Sequence, residues 1–167
     1  MSSSSIPPIR VVSSPLQSHA VRIPSNADLV PALLEAAGQA MELSKAQSAF
    51  VMTAVGSLSE VTLRMAATDK DTQTQETSLA EATSLQVRTF SQHFEIVSLV
   101  GTFSVDGGKH LHMSVSNAEG NVLGGHLVSG RVFTTLELVL GTMSEVAFTR
   151  EMDAASGYNE LVVTGRS

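Results

Sequence analysis

From Leu85 onward the chain is a succession of short β-rich runs with almost no room between them, and this crowding restricts the fold more than any other feature. The runs read "LQVRTF", "FEIVSLVGTFS", "HLHMSVS", "NVLGGHLV", "RVFTTLELVLG" and "SEVAFTREM", divided by Gly, Asp and Asn. Parallel neighbours need a crossover of about a dozen residues or more, usually a helix. None fits here, so the sheet must be largely antiparallel. Two earlier runs, "SAFVMTAVG" and "SLSEVTLRMA", are separated by a turn signal at Gly56-Ser57. In "EIVSLV" both alternating sets are apolar, which predicts a central strand covered on both sides.

One segment breaks this pattern. In "NADLVPALLEAAGQAMEL", Leu29, Leu33, Ala37 and Met41 recur at helical spacing beside Val30, Leu34 and Ala40. Ser25 or Asn26 is the expected N-cap, Asp28 suits the positive end of the helix dipole, and Pro31 requires a place in the first turn, which moves the expected start toward Ala27 or Asp28. The fold class is therefore α+β, a largely antiparallel sheet with one main helix. A single helix covers little sheet, so a second cover is expected from another subunit.

The chain of 167 residues suits one domain. Residues 1–17, rich in Ser and Pro, read as a flexible tail, and residues 18–167 as the domain. The lack of acidic residues before Asp28, beside Arg10 and Arg22, is shared with organelle transit peptides, but a disordered tail is the plainer reading. The polar stretch "TDKDTQTQETSLAEATS", residues 68–84, reads as a surface loop or a long hairpin tip. No apolar run approaches the roughly 20 residues of a membrane helix, so a soluble, intracellular protein is expected. With no cysteine, thiolate metal sites, disulfides and cysteine nucleophiles are excluded, and any metal must use His, Asp or Glu. A net charge of −6, with ten scattered Lys and Arg, speaks against direct nucleic-acid binding.

The chemistry is concentrated in "GGKHLHMSVSNAEGNVLGGH", residues 107–126, which holds three of the five histidines. Leu111, Met113 and Val115 alternate with His110, His112, Ser114 and Ser116, so the apolar set faces the core. A three-residue loop at 118–120, glycine last, fixes a register in which paired numbers sum to 238. Leu123 then faces Val115, Leu127 faces Leu111, and His126 lies opposite His112, with His110 one pleat away on the same face. Gly124, opposite Ser114, clears space beside this patch. Three neutral imidazoles leave a fourth position open on a metal such as zinc, the pattern of a catalytic site. The alternative is three ordinary polar residues facing solvent or a subunit interface.

Other candidates are single residues. Glu95 lies in the apolar "FEIVSLV"; if buried it must meet Arg, His or a metal, and it is the candidate acid or base, with a structural salt bridge as the plainer reading. Glu137 in "TTLELVL" raises the same question, and Arg88 is a candidate cross-strand partner for Glu95, an exposed arginine being the default reading. His93 and His19 have no spacing partner and read as surface residues. Neither a nucleophile elbow nor a phosphate-binding loop occurs.

The segments "HAVRIPSNADLVPALLEAAGQA", "VGSLSEVTLR", "FEIVSLVGTFS", "HLHMSVSNAEGNVLGGHL" and "VFTTLELVLG", spanning about residues 18–148, resemble the plants-and-prokaryotes-conserved (PPC) domain. That module occurs in plant AT-hook nuclear-localised proteins and in small bacterial and archaeal proteins. The resemblance implies an antiparallel α+β fold, assembly as a homotrimer, and a metal held by His110, His112 and His126, as in the microbial type. The Arg-Gly-Arg-Pro hook of the plant proteins is absent, since the closing "TGRS" lacks the proline and basic flanks. The family's DNA-binding label therefore transfers poorly.

Two functions follow. The first is a homotrimeric assembly module that presents a surface to protein partners, including partners near DNA, with any metal structural. The second is a zinc-dependent enzyme acting on a small carbonyl or carboxylate compound, with Glu95 as acid or base, distantly similar to acetolactate decarboxylase in its His-x-His and third-His plan. A concave pocket at the histidines favours the enzyme; a flat patch favours the module.

Overall fold

The computed structural model describes residues 9–66 and 86–166, which form one helix and eight strands. In chain order these are β1 (Leu16–Pro24), α1 (Leu29–Ser44), β2 (Ser48–Arg64), β3 (Val87–Phe90), β4 (Phe94–Ser104), β5 (Lys109–Ser116), β6 (Val122–Met143), β7 (Val146–Met152) and β8 (Asn159–Gly165). β1 starts two residues inside the segment read as tail. The polar stretch 68–84 lies outside the described residues.

Every strand pairing is antiparallel, as the short connections require. The first six strands run in the order β1-β6-β5-β4-β2-β3, and β6 also pairs with β2. The circuit β2–β4–β5–β6 is thereby closed, a small barrel rather than a flat sheet. Its interior holds the largest buried side chains, among them Phe94, Phe103, Leu58, Leu63, Leu111 and Met113. α1 adds Leu29, Leu33, Ala37 and Ala40 to the same core, the spacing of one helical face.

The helix begins later than the capping signals suggest. Asp28 is the N-cap, without a side-chain capping bond, and Asn26 takes a left-handed conformation before it. Pro31 is then the third helical residue, in the first turn, where a missing N–H is harmless. Asp28 instead pairs with Arg131 of β6 at 2.9 Å.

Two glycines read as punctuation lie inside strands. At Gly56 (φ 150°) a Cβ would sit 2.2 Å from the Thr135 carbonyl oxygen, so β2 bends there through a register shift and continues. At Gly130 a Cβ would meet the Glu60 carbonyl and the Leu29 side chain at 3.1 and 3.2 Å; this glycine lets α1 approach β6 instead of ending it. "SAFVMTAVG" with "SLSEVTLRMA", and "NVLGGHLV" with "RVFTTLELVLG", are accordingly one long strand each.

β7 and β8 form a separate two-stranded sheet. The Phe148 N–H donates to the Gln47 carbonyl at 2.9 Å, and the Val105 N–H to the Phe148 carbonyl at 3.1 Å. These bonds hang the hairpin beside the β4–β5 turn. No helix among the described residues is long and apolar enough to cross a membrane.

Candidate metal centre

The β5–β6 hairpin has the register expected from its alternation. Ser116↔Val122, Val115↔Leu123, Ser114↔Gly124, Met113↔Gly125 and His112↔His126 all pair, and Gly120 closes the loop in the left-handed conformation (φ 80°). Leu111, Met113 and Val115 are buried at 2% exposure or less. Their neighbours His110 and His112 are consequently exposed on the outer surface, with His126 half-buried beside them. A Cβ at Gly124 would sit 2.8 Å from both the Met113 carbonyl and Ser114 Oγ, so the hairpin closes tightly here only with glycine.

The three imidazoles converge. One ring nitrogen from each lies within 4.8 Å of the others, and ring centroids are 5.0, 5.3 and 5.6 Å apart. The Nε2 atoms of His110 and His112 are 3.1 Å apart. A tetrahedral zinc with bonds of about 2.0–2.1 Å needs donors roughly 3.4 Å apart, within reach of small side-chain torsions. His126 Nδ1 is buried with no hydrogen-bond partner.

Burial favours the neutral form of two of the three imidazoles. Burial above all, then Arg64 and the other two histidines, pushes His126 down from 6.5 to about 4. Burial, then His112 and Arg150, also lowers His110. Neutral imidazole is the form that binds a metal, so the residues fit one.

A shallow, open groove of about 350 Å³ runs along the patch, lined by Val100, Gly101, Thr102, His110, His112, Arg150, Glu160 and Leu161. Thr102 pairs with His110 across β4–β5, and Arg150 Nη2 donates to Thr102 Oγ1 at 2.9 Å. Arg150, Glu160 and Leu161 belong to β7 and β8 and were not foreseen from the sequence. β8 has only half-buried residues between its exposed ends and no clean alternation to mark it.

The remaining candidates are placed elsewhere. Glu95 is exposed, not buried, and pairs with Ser57 and Ser116. His112 lies opposite Val100, five residues along β4, a distance of roughly 17 Å at strand rise. Glu95 therefore stands off the groove. Arg88 is exposed opposite Leu63, with no ion pair to Glu95 among the described residues. Glu137 is exposed and faces Arg22, beside a second groove of about 500 Å³. His93 is a surface residue stacked on Phe133 at 3.8 Å, whereas His19 is half-buried, with Nε2 2.9 Å from Thr142 Oγ1. In "EIVSLV" the outward residues Val97 and Val100 are 55% and 52% exposed, so the chain alone covers this strand on one side only.

Residues 10–144 match the family model of the Plants and Prokaryotes Conserved (PCC) domain. Over 116 residues the chain is 40% identical to the bifunctional protein GlmU of Synechococcus sp. (strain JA-3-3Ab), a match covering 69% of this chain and 16% of that protein. The chain thus spans under a fifth of that relative's length. Among solved structures, a hypothetical protein from Salmonella enterica superposes with a TM-score of 0.76 at 30% identity, covering 93% of this chain and 99% of that one. A metal-containing protein from Archaeoglobus fulgidus shares the fold, with a TM-score of 0.69 at 22% identity over 92% and 99% of the two chains. The chain belongs to the PCC domain family.

Proposed function

We propose that this member of the PCC family is a homotrimeric assembly module carrying one metal ion per chain, most simply zinc, on His110, His112 and His126. The observation that carries the metal is the convergence of three imidazole donors within 4.8 Å, on a paired and closed piece of sheet. Neutral nitrogen donors without thiolate or carboxylate suit zinc among the common divalent ions. Held by these three residues, the ion would supply Lewis acidity.

The trimer is supported by the outward apolar residues. Met52, Val55, Val97 and Val128 are 41–60% exposed on strands whose other faces fill the core. A second copy of the chain is the simplest cover for them. The match to a small part of a much longer relative supports a module that is joined to different proteins. Protein partners belong to this reading; a net charge of −6 leaves direct DNA contact outside it.

Metal analysis of untagged protein tests the proposal, with light scattering in the same run and His112→Ala beside it. The expected result is near one zinc per chain, lost in the variant, with both proteins at three times the chain mass. Absence of metal from the wild type rules out the histidine site, and a monomer rules out the assembly.

One observation favours a second reading. The groove beside the histidines brings an arginine and a carboxylate to the metal position, as an enzyme on a small carbonyl or carboxylate compound requires. In that reading Glu160, not Glu95, is the carboxylate in place.

A further inference from the structure

The groove holds a guanidinium without a direct ion pair, with the Asp106 and Glu160 carboxylates near it. Arg150 forms no salt bridge among the described residues. Its Nη2 is bound to Thr102 Oγ1 at 2.9 Å, while its Nε is buried without a partner. The side chain is nevertheless held in place. Its backbone N–H donates to Asp106 Oδ2 at 2.9 Å, and its stem crosses Gly108, where a Cβ would sit 2.6 Å from Arg150 Cγ. A guanidinium fixed in this way, beside three metal donors, is a preorganised receptor for an oxyanion.

Three further features narrow the ligand. The groove of about 350 Å³ is at the small end of ligand sites. Glu160 lines it too, and a carboxylate there disfavours a second negative group while accepting a hydrogen bond from a hydroxyl. Val100 and Leu161 supply apolar wall that suits a short carbon skeleton.

We infer that the groove binds a small hydroxycarboxylate, its carboxylate on Arg150 and its hydroxyl between Glu160 and the open position of the metal. This rests on the histidine site proposed above and adds the chemical class of what that site receives.

The test uses the full chain loaded with cobalt(II), whose visible absorption reports a change in its ligands, titrated with glycolate and with acetate. Glycolate is expected to alter the spectrum and to bind about tenfold tighter than acetate. Arg150→Gln is expected to lose glycolate affinity by about tenfold or more, with cobalt stoichiometry and melting temperature unchanged. Should that variant unfold, Glu160→Gln carries the test, with loss of the preference for glycolate over acetate as the expected result. Cobalt bound at one per chain with no response to glycolate, a response unaltered in the folded Arg150 variant, or an unaltered preference in the Glu160 variant overturns the inference and leaves the metal site standing. A wild type that takes up no cobalt overturns both.

Discussion

The β5–β6 and β7–β8 hairpins meet at the same groove but are held in different ways. The first is part of the closed strand circuit, and its inward residues Leu111, Met113 and Val115 are buried at 2% exposure or less. The second is a two-stranded sheet of its own, an arrangement only marginally stable in isolation. It is tied down by Phe148 and Val105 backbone bonds, by Asp106 on the Arg150 N–H, and by Arg166 Nη1 on the Lys45 and Ser144 carbonyls at 2.8 and 3.0 Å. The difference separates two requirements of one site. The three histidines, which as metal donors would need tolerances of a few tenths of an ångström, come from the most constrained sheet. The charged groups that would select a ligand come from an appendage attached at a few points.

The largest expected effect tests that contrast directly. Leu111→Ala opens a cavity inside the barrel and should cost about 2–5 kcal/mol. Leu161→Ala, half-buried in β8, should cost under about 2 kcal/mol. Denaturant unfolding of both variants reads the difference, and equal losses would mean that the second hairpin is as integral to the core as the first.

The same contrast explains what could be read in advance. The β5–β6 register was legible because a strict period of two and a three-residue loop ending in Gly120 leave one pairing that buries Leu111, Met113 and Val115 together. The α1 face was legible for the equivalent reason at period 3.6. Gly56 and Gly130 were misread because the same residue serves a turn and a close backbone approach, and only the three-dimensional neighbours, Thr135 and Leu29, distinguish them. Glu95 is exposed although it stands in an apolar run, because Val97 and Val100 share its outward face and alternation does not tell solvent from a subunit contact. Arg150 and Glu160 reach the groove through β7–β8 docking, which no local spacing encodes.

A second prediction uses pH to stress one hairpin and spare the other. His126 is held down at about 4 in the folded chain, against about 6.5 when unfolded. As pH falls below about 6.5 the unfolded state takes up the proton first, so stability is full above that value and declines toward about 4. β7 and β8 contain no histidine. Metal-free protein followed from pH 7 to 4.5 should therefore lose amide protection in β5 and β6 in proportion to its loss of stability, and His126→Gln should flatten the profile. A wild-type profile as flat as the variant's would contradict the assigned cause.

The smallest effect concerns the tether itself. Asp106 accepts the Arg150 N–H at 2.9 Å and the Gly108 N–H at 3.1 Å, and these bonds, Arg150's first, hold its carboxyl below 3.8. Because the folded value is the lower one, this stabilisation is present above about 3.8 and is lost only as pH falls further. It therefore persists through the range in which His126 weakens the other hairpin. Asp106→Asn removes the charge and keeps an acceptor, so global stability should change little at neutral pH. Hydrogen exchange at the Arg150 amide should quicken several-fold while exchange at the His112 amide stays unchanged. If both amides quicken together, the tether is part of the barrel's own cooperativity, and the division between a rigid donor sheet and an appended charged hairpin fails at the residue that joins them.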